Sequence, residues 1–119
     1  MTDDLHLTLQ ETHGPLTVAA LSGQIDFHTA PRLHTGGIEL IEQGHHRLIL
    51  DLTGVSFCDS AGLSALIRLW HAAQETGGSL ALAAVPERLV RLLTLTGLDT
   101  VLPIHKTAAE ALAARPQGA

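Results

Sequence analysis

Cysteine and aromatic residues are scarce in this sequence. Cys58 is the only cysteine among 119 residues, which excludes an intramolecular disulfide and a metal site built from cysteines. Phe, Trp and Tyr together make up 3% of the chain, so its core must consist mainly of Leu, Ile, Val and Ala. A chain of this length with 45% hydrophobic residues can bury a core without covalent staples. We expect one domain over residues 1–119, with its core at about residues 4–114 and a frayed tail at 115–119.

Long apolar runs and clusters of positive charge are also absent. No stretch approaches the roughly 18 apolar residues that a membrane span needs, and the acidic start Met-Thr-Asp-Asp is unlike a signal peptide. The chain has 7 Lys and Arg against 12 Asp and Glu, and its net charge of −5 argues against a nucleic-acid-binding protein. The sequence therefore predicts a cytoplasmic protein with no membrane span and no nucleic-acid partner.

The motifs of several enzyme and cofactor classes are missing. Neither G-x-x-x-x-G-K-[ST] nor G-x-G-x-x-G occurs, which argues against a phosphate-binding loop. The segment from Cys58 to Gly62 carries a serine between strand and helix, but it lacks the first glycine of a hydrolase nucleophile elbow. The 8 histidines show no H-E-x-x-H spacing, so we interpret them as solvent-facing side chains. We expect no enzyme activity, no cofactor and no metal site.

Hydrophobic periodicity predicts an α/β fold with the order β-β-α-β-α-β-α-β-α. Alternating residues at Leu5–Gln10 and Leu16–Leu21 flank the turn signal His13-Gly14-Pro15 and predict a hairpin. Ser22–Asp26 is expected to leave the second strand, with Gly23 permitting a bend. Strands that alternate with helices after this hairpin predict a mixed, mostly parallel sheet covered by about four helices.

The stretch from Arg47 to Glu75 is the centre of this pattern. Leu48–Leu52 is almost continuously apolar, as in a strand buried on both faces, and Asp51 is expected to anchor a turn at Thr53-Gly54. An amphipathic helix follows, with either Asp59 or Ser60 as its N-cap. Its apolar stripe is predicted at Leu63, Leu66, Ile67 and Trp70, and its polar face at Ser64, Arg68, His71 and Glu75.

Capping and breaking residues delimit the other helices. Thr29-Ala30-Pro31 predicts the start of the first helix, with Thr29 as its cap, and Gly44 predicts its end. Gly36 and Gly37 inside it each cost about 1 kcal/mol relative to alanine, so we expect a weak or locally broken helix there. Close packing of Gly37 on the sheet is the alternative explanation for the pair. The remaining pattern predicts a strand at Ser79–Ala84, a helix from Pro86 to Gly97, an edge strand near Val101–Ile104 and a helix capped by Thr107.

The central stretch also resembles a known family. Residues 51–63 read Asp-Leu-Thr-Gly-Val-Ser-Phe-Cys-Asp-Ser-Ala-Gly-Leu, which is similar to the signature of STAS domains, particularly of bacterial anti-sigma factor antagonists. Leu21–Asp26 resembles the family's Leu-x-Gly-Glu-Leu-Asp, and the later Gly-Gly-Ser-Leu-Ala-Leu and Leu-x-x-Thr-Gly-Leu also fit. The resemblance covers nearly the whole chain, is specific at Asp59–Leu63, and implies a single STAS-like domain.

The resemblance implies an antagonist that captures an anti-sigma factor and so frees a sigma factor. In this family the anti-sigma factor is typically also a serine kinase that uses ATP. It phosphorylates the serine that matches Ser60 and thereby ends the complex, which a phosphatase of the metal-dependent serine/threonine class restores. Gly23 and Asp26 match the loop that contacts the kinase together with the serine region. The implied partner-binding residues are Gly23, Asp26, Asp59, Ser60, Ala61, Gly62 and Leu63, and we expect a monomer or weak dimer.

A phosphate on Ser60 would act through its charge. It adds about −1.5 to −2 charges beside Asp59, at a helix start whose dipole and free N–H groups tolerate an anion. We therefore expect the modified protein to stay folded, while a partner surface fitted to a neutral hydroxyl loses affinity. A loss of about 3 kcal/mol would weaken binding roughly 150-fold.

The sequence departs from the family pattern at three places and leaves two other functions open. Ala61 replaces a frequent second serine, which narrows phosphorylation to Ser60, and Gln24 replaces a common acidic residue. Gly36-Gly37 is atypical of the first helix. The first open alternative is a STAS-type regulatory subunit of a transporter or stress-sensing complex, docking on an ATPase or a scaffold. The second is weak nucleotide binding at the edge where strand meets helix.

Overall fold

The computed structural model describes residues 5–114, so the expected frayed tail lies outside the described residues. The elements are β1 (His6–His13), β2 (Leu16–Ile25), α1 (Ala30–Glu42), β3 (Arg47–Cys58), α2 (Ser60–Glu75), β4 (Ser79–Ala83), α3 (Glu87–Leu95), a 3₁₀ turn (Leu98–Thr100), β5 (Ile104–His105) and α4 (Ala108–Ala113). The predicted order of strands and helices is confirmed.

All five strands belong to one sheet, in the order β1-β2-β3-β4-β5. β1 pairs antiparallel with β2, whereas β2, β3, β4 and β5 pair in parallel. The expected hairpin and the mixed, mostly parallel sheet are therefore confirmed. The short β5 lies at the edge as predicted, but it covers only Ile104–His105, so the predicted strand near Val101–Ile104 began too early and Pro103 precedes β5.

The sheet buries both of its faces in the middle. Leu48, Leu50 and Leu52 of β3 belong to the main core, which includes buried residues of α1, α2 and α3. Ile49 belongs to a second, smaller cluster, in which Ala111 of α4 packs on the opposite face. Because successive residues of a strand point to opposite faces, both clusters are needed to bury β3. The prediction of a strand buried on both faces is confirmed.

Helix α2 turns a different face to the core from the one predicted. Of the expected stripe only Leu66 is fully buried; Leu63 and Trp70 are half-buried against the core, and Ile67 is half-buried without belonging to a core cluster. The polar face is exposed as predicted. The stripe was wrong because small residues lie where a helix packs closest to its neighbours, and a search for large apolar residues overlooks them. The buried residues are Gly62, Ala65, Leu66, Leu69 and Ala73.

The glycine pair does not break α1, which is continuous from Ala30 to Glu42. A Cβ atom at Gly37 would lie 2.5 Å from the methyl carbons of Leu69 in α2, and one at Gly36 would lie 2.7 Å from a methyl carbon of Leu7 in β1. The expectation of a locally broken helix is therefore wrong, and the alternative of close packing at Gly37 is confirmed, with α2 rather than the sheet as the neighbour. The glycines let α1 approach its neighbours closely, and this packing offsets their low helix propensity.

Strands β2 and β3 are both longer than predicted. Irregularities in their pairing let both strands continue beyond the polar residues at which they were expected to end. β3 has one extra residue between the pairs Ala20↔Asp51 and Ser22↔Gly54, and a second irregularity follows Gly23. At the first bulge the Asp51 carboxylate accepts hydrogen bonds from the N–H and the hydroxyl of Thr53. The turn predicted at Thr53-Gly54 is therefore wrong: Asp51 supports a bulge inside a strand.

Left-handed glycines follow the ends of α1, α2 and α3. Gly44 has φ +105°, Gly77 has φ +78° and Gly97 has φ +77°. These backbone angles favour glycine, so each residue stops the helix before it. At α4 the Thr107 hydroxyl accepts a hydrogen bond from the N–H of Glu110 at 3.0 Å, which confirms the predicted cap.

Candidate partner-binding site

The carboxyl ends of β2 and β3 meet beside the start of α2. Ile25 pairs with Cys58, and the N–H of Asp59 donates to the carbonyl oxygen of Ile25 at 3.1 Å. The loop after β2 and the start of α2 therefore lie next to each other. This brings Asp26 and Ser60, which are far apart in sequence, to one edge of the sheet, where ligands of open α/β sheets usually bind.

Asp59, not Ser60, caps α2. Its carboxylate oxygen Oδ1 accepts hydrogen bonds from the N–H of Ala61 at 2.9 Å and from the N–H of Gly62 at 3.2 Å. A carboxylate in this position satisfies two otherwise unpaired donors and complements the positive end of the helix dipole. Ser60 is the first residue of the helix and is exposed. Within residues 5–114 its hydroxyl has no hydrogen-bond partner.

The capping bonds change the expectation for a phosphate at this helix start. The N–H groups of Ala61 and Gly62 are not free, because Asp59 already occupies them. A phosphate on Ser60 would have to displace Asp59 or remain in solvent beside it. The expected anion site of free N–H groups is therefore wrong at these two donors, and the added charge stays close to the Asp59 carboxylate.

Gly62 lets the first turn of α2 pack closely on the ends of two strands. It is buried, and a Cβ atom there would lie 2.6 Å from Cys58 Sγ and 2.6 Å from Ile25 Cγ2. The absence of a side chain therefore lets the first turn of α2 rest on the ends of β2 and β3. Leu63 is half-buried and packs against the main core.

The loop after β2 is held by the Asp26 side chain. Its Oδ1 accepts hydrogen bonds from the N–H of His28 at 2.9 Å and from the N–H of Thr29 at 3.0 Å. The Thr29 N–H, followed by that of His28, lowers the pKa of the Asp26 carboxyl below 3.8, against a smaller opposing effect of burial. Asp26 is thus an ionised group that orders its own loop.

Thr29 precedes α1 as predicted, but its side chain makes no capping bond to the helix. Its hydroxyl instead accepts from the N–H of Asp26 at 2.9 Å and donates to the carbonyl oxygen of Gln24 at 2.7 Å. Thr29 therefore holds the predicted N-cap position, but the predicted side-chain cap is wrong. Its hydroxyl bonds to backbone groups of the preceding loop instead of to the helix.

Gly23 lies at the second irregularity of β2, with φ +107°. Its carbonyl oxygen accepts a hydrogen bond from the Ser56 hydroxyl of β3 at 3.3 Å. The expectation that the chain leaves β2 at Ser22 is wrong, because the strand continues through Gly23 to Ile25. Gly23 therefore shapes the approach to the Asp26 loop from within the strand.

Cys58 is unsuited to nucleophilic chemistry. Burial, and then the neighbouring Asp59 charge, raise the pKa of its thiol to about 11. The thiol therefore stays protonated near neutral pH, and the thiolate is the reactive form. Within residues 5–114, no three or more His, Cys, Asp or Glu side chains are grouped so that they could hold a metal ion.

Two residues at this edge were missed from the sequence. Phe27 is 76% exposed in the Asp26 loop, and Phe57 is 41% exposed near the end of β3. Phe57 also lines a cleft of about 300 Å³ with Ser56, Cys58, Pro86, Arg88 and Leu89. The available signal was composition: these are the chain's only 2 phenylalanines, and neither fell in a predicted apolar stripe.

Comparison with known proteins agrees with this arrangement of strands and helices. The STAS domain family model matches residues 6–111. The chain is 38% identical to an anti-sigma-B factor antagonist of Bacillus subtilis over 71% of this chain and 76% of that protein. It is 29% identical to an anti-sigma F factor antagonist of Paenibacillus polymyxa, over 86% and 88% of the two chains.

A crystal structure of an anti-sigma factor antagonist from Mycobacterium paratuberculosis superposes with a TM-score of 0.81 and 29% identity, covering 95% of each chain. The family match spans most of the chain, from β1 into α4. This chain belongs to the STAS domain family. Among residues 5–114, no helix is long and apolar enough to cross a membrane.

Proposed function

We propose that this protein is an anti-sigma factor antagonist that binds an anti-sigma factor with serine kinase activity and is switched off by phosphorylation of Ser60. The observation that carries the proposal is the Ser60 hydroxyl, which is exposed at the first position of α2 and has no hydrogen-bond partner among the described residues. A kinase needs such a hydroxyl, because it must orient the acceptor oxygen toward ATP without first breaking bonds.

The relatives support the choice of partner. Proteins named as antagonists of anti-sigma factors match this chain over most of its length, in sequence and in structure. On this proposal the binding surface comprises Gly23, Asp26, Asp59, Ser60, Ala61, Gly62 and Leu63. Gly62 contributes by seating the helix, since it is buried, and the exposed or half-buried members make the contacts.

The switch acts through negative charge, and two N–H groups of the first turn of α2 are not available to neutralise that charge. Asp59 already uses the N–H groups of Ala61 and Gly62, so a phosphate on Ser60 adds about −1.5 to −2 charges next to an existing carboxylate. Covering two adjacent anions with a partner surface that offers them no cation costs several kcal/mol. A cost of about 3 kcal/mol corresponds to a roughly 150-fold weaker complex.

Phosphorylation leaves the fold intact on this proposal. Ser60 is exposed, so its phosphate can extend into water, and no buried hydrogen bond has to break. A phosphatase of the metal-dependent serine/threonine class would then restore binding. The protein itself acts as a cytoplasmic, non-enzymatic regulator, as a monomer or weak dimer.

The test uses a candidate anti-sigma factor with serine kinase activity from the same organism, purified and incubated with the full-length protein and ATP. Intact-mass measurement is expected to show one added phosphate, and peptide mapping should place it on Ser60 rather than on Ser64, one helical turn further. Ser60→Ala should abolish incorporation. Titration calorimetry should then show roughly 100-fold weaker binding of Ser60→Asp and of the phosphorylated protein.

Two results would contradict the proposal. Either an unmodified Ser60 after complete reaction, or a phosphorylated protein that binds the kinase as tightly as before, excludes the charge switch. Recovery of a transporter ATPase or a stress-sensing scaffold in affinity purification from native cells, with no anti-sigma factor, would favour the alternative role as a regulatory subunit.

A further inference from the structure

The described part of the chain exposes five large apolar side chains, and two of them are the phenylalanines. Phe27 is 76% exposed and Phe57 is 41% exposed, while the core is built from aliphatic residues. An aromatic side chain left in water forgoes the free energy that its burial would contribute to folding. The other large exposed apolar residues are Leu9, Leu95 and Val101.

Both phenylalanines lie at the edge of the sheet that carries Ser60. Phe27 follows Asp26 directly after the end of β2, and Phe57 pairs with Gln24 three residues before Ser60. Leu95 is different, because it ends α3, which runs back from the carboxyl edge to the opposite edge of the sheet before β5 begins.

Both phenylalanines are carried by ordered backbone segments. Phe27 lies between Asp26 and His28, whose N–H donates to the Asp26 carboxylate, and its ring meets the His28 ring edge-on at 5.8 Å and 74°. Phe57 is fixed in a strand and forms one wall of the 300 Å³ cleft beside Pro86 and Leu89. Rigid aromatic side chains lose little conformational freedom on binding, which makes them effective interface anchors.

A kinase that phosphorylates Ser60 must cover this edge. Its active site has to reach the Ser60 oxygen, and a specific interface extends over about 800 Å² of each partner. A footprint of that size around Ser60 takes in the Asp26 loop and the end of β3. The exposed phenylalanines therefore lie where the partner's surface has to be.

We infer that Phe27 and Phe57 are the apolar anchors by which the anti-sigma factor kinase holds this surface, while Ser60 supplies only the switch. This inference rests on the proposed function. The division of roles explains how one phosphate can end binding without altering the anchors: affinity comes from apolar contacts, and the phosphate adds an opposing charge.

The experiment measures binding of the Ser60-phosphorylating kinase to four full-length proteins by titration calorimetry: wild type, Phe27→Ala, Phe57→Ala and Leu95→Ala. Leu95 is the matched control, because it is 76% exposed like Phe27 but lies away from the site. Phe27→Ala and Phe57→Ala are each expected to raise Kd about tenfold or more, and Leu95→Ala to change it less than about twofold.

Thermal unfolding is measured on every variant, so that a folding defect is not mistaken for lost contact. Phe57→Leu, which keeps apolar bulk, replaces Phe57→Ala if the latter lowers the unfolding midpoint. If Phe27→Ala binds the kinase as tightly as Leu95→Ala does and is still phosphorylated at Ser60, the anchor role is wrong while the proposed function stands. Absence of both binding and phosphorylation in the wild type would overturn the proposed function as well.

Discussion

Thr29 and Ser60 stand at the starts of α1 and α2, at the same edge of the sheet, and each follows closely after an aspartate. Thr29 is only 7% exposed, and its hydroxyl is bonded to the N–H of Asp26 and the carbonyl oxygen of Gln24. Ser60 is exposed, and Asp59 takes the capping role that would otherwise occupy its hydroxyl. Similar residues at similar positions therefore have opposite uses: one hydroxyl supports the loop and the other is available for modification.

The largest expected effect concerns which of these hydroxyls accepts phosphate. In the double variant Ser60→Ala, Thr29→Ser, the kinase should add no phosphate, even though residue 29 is now a serine beside an aspartate. Its oxygen stays buried and bonded. Intact-mass measurement after prolonged incubation checks this, and phosphate on residue 29 would show that accessibility does not separate the two positions.

Substitution should affect the stability of the protein more at position 29 than at position 60. Thr29→Val keeps the shape but leaves the N–H of Asp26 and the carbonyl of Gln24 without their partner, which is expected to cost about 1–3 kcal/mol. Ser60→Ala removes an exposed hydroxyl and should change the free energy of unfolding by less than about 0.5 kcal/mol. Urea denaturation of both variants measures the difference. Equal losses would contradict the comparison.

The capping role of Asp59 gives a smaller effect. Asp59→Ala removes the acceptor for Ala61 and Gly62 and is expected to destabilise the protein by about 1 kcal/mol. Asp59→Asn retains an acceptor oxygen and serves as the control, with a loss of only a few tenths of a kcal/mol. A wild-type stability in Asp59→Ala, measured by urea denaturation, would mean that the Ser60 hydroxyl can take over the cap.

The smallest effect is the pH dependence of the Asp26 loop. Its hydrogen bonds from Thr29 and His28 lower the pKa of Asp26 in the folded protein below 3.8. A depressed folded-state pKa contributes stability that is present above the unfolded pKa and is lost as pH falls through the folded pKa. Asp26→Asn should therefore lose less stability than wild type on acidification below about pH 4. NMR titration of the Asp26 carboxyl at or above 3.8 would contradict this.

Much of the fold was predictable, because residue patterns within single segments indicate where strands lie and where helices end. Alternating and continuous apolar runs identified the strands, and Gly44, Gly77 and Gly97 have the left-handed angles that end helices. For the glycine pair of α1 the sequence left a broken helix and close packing both open, and only the contacts of Gly37 with Leu69 identify close packing, against α2 and not against the sheet. The α2 stripe failed for the same reason: its closest contacts use Gly62, Ala65 and Ala73.

The candidate site divides in the same way. Asp59 and Ser60 were singled out by their place between a buried strand and a helix, but two caps remained possible until the Asp59 bonds to Ala61 and Gly62 were seen. Phe27 and Phe57 had no periodic pattern to mark them. Exposure is a property of the packed molecule, so composition could only hint that they lie outside the core.

By itself the sequence determined the order of elements, the family resemblance and the segment that carries Ser60, since these depend on residue types at short spacing. The folded chain was needed to show which hydroxyl is free, whether Asp59 or Ser60 caps α2, and which apolar residues face water. Those choices depend on hydrogen bonds and contacts between segments far apart in the chain, such as the bond from Asp59 to Ile25 that joins the two halves of the site.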